Sequence, residues 1–243
     1  MIKNKYVILG TQRCGSFLLN NIITKNYSDN IICLGEIYNR DKEFWDFSYN
    51  YYPNNYNIRY SKPIDYLNSI EDHYNDYNKD FLFKLIIPTF NFDILSHIGK
   101  STNYTKIILK RKNILSQYIS QKISVKNNIW RSFENCENLS PVVFDYMEFI
   151  EYHKYYIIHY NLLENFMRGR LYTLYYDELL NTKNLSIMFE QLFGYTPLEY
   201  YEKEIKKISK NKIDEVENYD EMKRILKDTE YNWMIENLNK EIS

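Results

Sequence analysis

The stretch Tyr6-Val7-Ile8-Leu9-Gly10-Thr11-Gln12-Arg13-Cys14-Gly15-Ser16-Phe17-Leu18-Leu19 constrains this chain more than any other part of it. Tyr6 to Leu9 is an apolar run that suits a short, buried parallel strand. Gly10 to Gly15 is a glycine-bounded turn. From Ser16 onward Leu18, Leu19, Ile22 and Ile23 recur on one helical face. A strand that passes through such a turn into a helix aims several backbone N–H groups at one point, and the helix N-terminus adds partial positive charge there. Gly15 lets the backbone approach a bound anion closely. Arg13 adds a full charge and a fork of donors. The segment therefore predicts an anion-binding turn in an α/β protein.

The alternation continues downstream. Ile31 to Leu34, Phe81 to Ile87, Lys106 to Leu109 and Leu171 to Tyr175 read as further strands. Ile64 to Tyr77 reads as a polar surface helix, Asn113 to Lys126 and Asp145 to Met167 as helices, and the chain from Glu178 as helical in several pieces. Strands alternating with helices predict a three-layer, P-loop-like α/β fold with a central parallel β-sheet flanked by helices. At 243 residues the chain is read as one domain, 1–243. Tyr38 to about Pro63 is rich in Tyr, Asn, Phe and Trp without periodicity. Its Tyr/Asn-rich part, 48–60, reads equally as a mobile substrate loop or as filler.

Composition narrows the classes. The formal net charge is -1, so no global positive field draws the chain to nucleic acid or to an anionic membrane, and any anion site must be local. The three cysteines, Cys14, Cys33 and Cys136, have no metal-ligand spacing, and the four histidines make no Cys/His cluster with them. This predicts a reduced setting and no metal site. Neither a signal peptide nor an apolar run of spanning length is visible, so a soluble, cytoplasmic protein with no membrane span is expected.

A second basic element lies in Lys106-Ile107-Ile108-Leu109-Lys110-Arg111-Lys112-Asn113-Ile114-Leu115-Ser116-Gln117-Tyr118-Ile119-Ser120. A strand ends at Arg111 and a helix begins. Ser120 follows about two and a half helical turns later. Arginine and serine so placed can converge on one phosphate. Taken alone, the segment reads more readily as a basic helix start with solvated Lys and Arg. Two separate anion cradles would suit a nucleotide phosphorylated at both the 5' and the 3' position. Glu36 directly follows the second strand. Because the carboxyl ends of parallel strands border the binding crevice, that places it near the Arg13 turn.

Gly10 and Gly15 fit the Gly-x-x-x-x-Gly-Lys-Ser/Thr spacing of nucleotide triphosphatases. Ser16 stands where the phosphate lysine belongs, however, and Phe17 where Ser or Thr would hold magnesium. The turn instead resembles the donor-binding turn of the PAPS-dependent sulfotransferases (PAPS is 3'-phosphoadenosine 5'-phosphosulfate), Pro-Arg-Ser-Gly-Ser/Thr-Thr/Ser-x-Leu. It matches at Arg13, Gly15, Ser16 and Leu19 and departs at Gln12, Cys14 and Phe17. The spacing from Arg111 to Ser120 resembles the family's 3'-phosphate motif in its bacterial carbohydrate-type members. Tyr176-Asp177-Glu178-Leu179 resembles its Tyr-Glu-x-Leu element, and Lys206-Lys207-Ile208-Ser209-Lys210 its late basic loop.

The resemblance implies a metal-independent transfer of a sulfuryl group from PAPS to a hydroxyl, most simply that of a carbohydrate or glycoconjugate. Residues 38–80 are then a variable insertion that could bind the acceptor. Glu36 is the implied base, as in the glycan and tyrosine sulfotransferases, and Arg13 stabilises the bridging oxygen. The implied donor contacts are Arg13, Cys14, Gly15, Ser16, Phe17, Leu18, Arg111, Ser120, Tyr176, Lys207 and Ser209. Lys84 reads either as a charged group at a strand end near the site or, slightly better, as a snorkelling lysine on a strand edge. Tyr38, Phe44, Trp45 and Trp130 could stack on a sugar face or serve the core. Asn218 to Tyr231 resembles the tail of bacterial and viral members and reads as packing. Two alternatives stand beside this reading: a P-loop kinase or nucleotide hydrolase, and a non-catalytic nucleotide-binding member of the fold.

Overall fold

Burial on both faces explains the continuous apolar strands. In the computed structural model, which describes residues 4–39, 58–88, 92–130, 139–195 and 214–238, strand β1 (Lys5–Thr11) is buried from Tyr6 to its end. Helix α1 (Ser16–Tyr27) follows, then β2 (Ile31–Cys33), α2 (Ile58–Ser61), α3 (Pro63–Tyr74), β3 (Asp80–Ile87), α4 (Phe92–Lys100), β4 (Tyr104–Lys110), α5 (Ile114–Asn127), α6 (Tyr146–Phe166), β5 (Leu171–Tyr175), α7 (Tyr176–Leu179), α8 (Thr182–Phe193), α9 (Tyr219–Leu226) and α10 (Asn232–Glu236). The five strands form one parallel sheet in the order β2-β3-β1-β4-β5, flanked by helices, as the alternation predicts. Register is set by pairs such as Ile8 with Lys84 and Val7 with Lys106.

α4 and α3 depart from expectation. α4 occupies a stretch that carries no helical signal beyond Ile94, Leu95 and Ile98, the three apolar residues it buries. That is too short a pattern to stand out from the sequence. α3 is not a polar surface helix: Tyr66, Leu67, Ile70 and Tyr74 form a buried stripe, and its polar residues cover only the other face.

The chain divides into two compact units. One comprises Met1–Lys110 with His159–Leu174, the other Arg111–Ile158 with Tyr175–Ser243. In the first, the buried Lys106 Nζ donates to the carbonyls of Ser101 and Arg168, two carbonyls that lie just past the ends of α4 and α6. In the second, Asn113 caps α5 by accepting from the Ser116 N–H at 3.0 Å and also donates to the Met234 carbonyl at 2.7 Å. An aromatic cluster of Tyr118, Phe144, Phe149 and Tyr231 fills that unit's core. Met222, Leu226 and Tyr231 are buried, so the tail segment serves packing. Among the described residues no helix is long and apolar enough to cross a membrane.

Candidate functional site

β1 delivers the chain into a tight turn, closed by Cys14 N–H donating to the Thr11 carbonyl at 3.4 Å. Two residues of this turn lie in the left-handed region, Arg13 at φ 61° and Gly15 at φ 98°. Glycine adopts that conformation freely, whereas an arginine pays about 1–2 kcal/mol for it. Strain of this kind persists only where the surroundings enforce it, and it concentrates at functional sites. Gly15 is the N-cap of α1, whose first turn holds no acidic residue and whose cap makes no side-chain hydrogen bond. Gly10 is glycine for another reason: a Cβ there would lie 2.8 Å from Cys14 Sγ and 3.0 Å from the Leu109 carbonyl oxygen. The strand end is fastened by Tyr160 of α6. Its hydroxyl accepts from the Thr11 N–H at 3.2 Å and donates to the Leu109 carbonyl at 2.6 Å.

The neighbouring strands bring two charges close to this turn. Leu34 N–H donates to Leu82 O at 2.9 Å and Lys84 N–H to Gly35 O at 2.8 Å, which extends the β2–β3 ladder by two residues. Gly35, at φ 67°, then turns the chain so that Glu36 stands beside Lys84. Lys84 Nζ lies 3.4 Å from Glu36 Oε1, with the two side chains only 3% and 11% exposed. Glu36 Oε2 accepts from Asn39 Nδ2 at 2.8 Å. Lys84 Nζ also lies 5.6 Å from the centre of the Phe17 ring, within cation–π range. The expectation that Lys84 snorkels from a strand edge is thus corrected. β3 is interior to the sheet, between β2 and β1, and its lysine is buried because a carboxylate there neutralises it.

Cys14 lies in the floor of this cluster. Burial pushes its thiol up to about 11, against hydrogen bonds from Ser16 and the positive charge of Lys84. Ser16 therefore faces the thiol, and Leu18 is buried in the core behind it. Arg13, Gly15 and Phe17 are partly exposed on the turn. The first unit thus gathers the Arg13 turn that follows β1, Glu36 just beyond β2, and Lys84 from within β3.

In the second unit the Arg111 guanidinium carbon stands 4.0 Å from the centre of the Tyr176 ring, and Tyr156 Oη donates to the Arg111 carbonyl at 2.8 Å. Both Arg111 and Tyr176 are buried. Ser120 is half-buried on α5, its carbonyl accepting from the Ser124 hydroxyl at 2.9 Å. Lys207 and Ser209 lie outside the described residues, as do Cys136, Phe44 and Trp45. Tyr38 is no sugar platform: it is 1% exposed, donates to the Pro63 carbonyl at 2.6 Å and packs edge-on against Tyr66. Trp130 is half-buried.

Sequence reasoning passed over Asn39 and Tyr160. Asn39 is three residues beyond Glu36, a spacing that gives no signal outside a regular element. Tyr160 is one of 26 tyrosines, and nothing in its neighbourhood marks it. Among the described residues no group of three or more His, Cys, Asp or Glu is placed to hold a metal ion. Neither the protein-family models nor the curated proteins provide a match to this chain.

Proposed function

We propose that this protein is a PAPS-dependent sulfotransferase acting on a hydroxyl acceptor, most simply a carbohydrate. The observation that carries the reading is the buried Glu36–Lys84 pair standing beside the strained Arg13–Gly15 turn in one unit. A phosphate-type turn that lacks its own lysine and metal ligand at positions 16 and 17 acquires a cation from the adjacent strand instead. That arrangement suits a phosphosulfate, whose transfer needs charge neutralisation and a base but no magnesium.

The chemistry is an in-line displacement. The acceptor oxygen forms a bond to sulfur as the bond from sulfur to the bridging oxygen breaks, and the 5'-phosphate leaves with that electron pair. Glu36 takes the hydroxyl proton, a contribution of roughly 10²–10⁴ in rate. Arg13 and the backbone N–H groups after Gly15 meet the charge that develops on the leaving oxygen, where removal of one preorganised donor commonly costs about 2.7–4 kcal/mol of barrier. Lys84 supplies a second positive charge at the same place. Arg111 and Ser120 keep the role the resemblance gives them, as contacts to the 3'-phosphate, and Tyr176 keeps its role as a contact to the donor. Lys207 and Ser209 keep theirs on the same footing.

The test is transfer of radiolabelled sulfate from PAPS to a panel of glycans, with Glu36→Gln alongside. The reading expects transfer without added metal, and a Glu36→Gln variant that still binds PAP (3'-phosphoadenosine 5'-phosphate) but has lost turnover. Full activity in Glu36→Gln would remove Glu36 as the base. Magnesium-dependent ATP hydrolysis with no transfer from PAPS would replace the reading with that of a nucleotide hydrolase.

A further inference from the structure

We infer that Asn39 is a positioning residue for Glu36, held in place by a brace from residues 58–63; the inference rests on the sulfotransferase reading and deepens it. The carboxylate is gripped from two sides. Lys84 Nζ faces Oε1 at 3.4 Å, and Asn39 Nδ2 donates to Oε2 at 2.8 Å. The two contacts differ in kind. An ammonium on a flexible stem holds a charge but not an angle, whereas a side-chain amide at hydrogen-bond distance sets the rotation of the carboxylate plane. Asn39 therefore decides which lone pair of Glu36 is presented to an incoming hydroxyl.

Asn39 is itself fixed. Its N–H donates to the Glu36 carbonyl at 2.9 Å, which closes a short turn, and its own carbonyl accepts from Arg59 Nη1 at 2.6 Å. Arg59 is 2% exposed, a buried cation at the start of the short helix α2. Two further bonds tie the same segments together: Tyr60 Oη donates to the Tyr38 carbonyl at 3.1 Å, and Tyr38 Oη to the Pro63 carbonyl at 2.6 Å. Three hydrogen bonds thus join 58–63 to 38–39, the residues just beyond the base. A general base must sit within hydrogen-bond reach of the proton it takes, and an error of about 1 Å can cost 10²-fold in rate. Arg59 and Asn39 together supply that precision from a strand end that otherwise finishes in a glycine turn.

The experiment compares wild type, Asn39→Ala, the isosteric Asn39→Asp, Glu36→Gln and the double variant Glu36→Gln/Asn39→Ala in turnover with PAPS, and follows PAP binding by thermal shift. The expected result is a kcat about 10- to 100-fold lower in both Asn39 variants, with KM for PAPS within about two-fold of wild type. PAP stabilisation should be unchanged in both. The double variant should keep the residual rate of Glu36→Gln alone, because a residue that acts by orienting Glu36 has nothing left to orient. Full kcat in both Asn39 variants would overturn the inference. So would a double variant slowed below Glu36→Gln by the same factor as the single change, since that outcome marks a purely structural role. A wild type that neither binds PAP nor transfers sulfate would instead sink the proposed function itself, and the inference with it.

Discussion

Lys84 Nζ stands 3.4 Å from Glu36 Oε1, across the extended β2–β3 ladder, with both side chains shielded from water. Buried ions cost several kcal/mol each to desolvate, and this pair is retained where two well-packed apolar side chains would serve stability as well or better. Removing one partner strands the other. Lys84→Met should therefore destabilise the protein by about 3–5 kcal/mol, and adding Glu36→Gln to it should recover a large part of that loss. Urea unfolding of the two single variants and the double variant measures this. Equal and additive losses would mean that the two groups do not interact.

The glycines around the site meet separate demands. Gly15→Ala and Gly35→Ala each place a Cβ at a left-handed φ, of 98° and 67°, and should cost about 1–2 kcal/mol apiece. Gly10→Ala meets a different obstacle, Cys14 Sγ at 2.8 Å and backbone at 3.0 Å, so it should cost more than either. Thermal unfolding ranks the three, and Gly10→Ala as the mildest of them would contradict the packing described.

Tyr160 fastens the end of β1 to β4 through one hydroxyl. Tyr160→Phe leaves the Thr11 N–H and the Leu109 carbonyl without that partner inside the core. The expected loss is about 1–3 kcal/mol, read from the shift of the denaturant midpoint. A change below a few tenths would show that these groups find water or other partners.

Cys14 should be chemically quiet. With its thiol pushed up to about 11 by burial, it stays protonated and shielded at neutral pH. Iodoacetamide at pH 7.5 should leave the Cys14 peptide unmodified in the native protein and label it fully in urea, as peptide mass spectrometry will report. A thiol whose folded value is raised stabilises the fold below its unfolded value of 9.0, and that contribution is lost as pH climbs toward 11. The Cys14→Ala variant should therefore lose less stability than wild type between pH 9 and pH 11.

His153 has the opposite sign. Burial lowers its affinity for a proton, with Glu230 opposing. The folded state thus prefers the neutral ring, which packs against Phe149 and lies 3.3 Å from the Tyr231 hydroxyl. Its contribution is fully present above the ordinary value of 6.5 and declines as pH falls below it. His153→Gln should flatten the fall in Tm on acidification below pH 6.5; an unchanged slope would place that pH dependence elsewhere.

What the sequence made legible follows the physics of each feature. The order of strands and helices was readable because both-face burial writes continuous apolar runs, as in β1 and β3, and because Gly15 punctuates the first of them. α4 was not readable, since a nine-residue helix with three buried apolar positions has no periodicity to distinguish it. Glu36 was placed at a strand end by parallel-sheet geometry alone. Its partner is ambiguous in sequence, because a lysine inside an apolar run carries no mark of whether its strand is interior or at an edge. Lys84 becomes intelligible only with the order β2-β3-β1 in hand. Tyr160 and Asn39 act through contacts that no local spacing encodes, one of them with a residue 149 positions away.

On the proposed function, the Arg13–Gly15 turn, with Lys84 beside it, is built for a phosphosulfate donor rather than a nucleoside triphosphate. Calorimetric titration of the full chain with PAP and with ATP, each with and without magnesium, tests it most directly. PAP is expected to bind without magnesium, ATP to bind far more weakly, and Arg13→Ala to weaken PAP. Magnesium-dependent binding of ATP with no heat from PAP would contradict it.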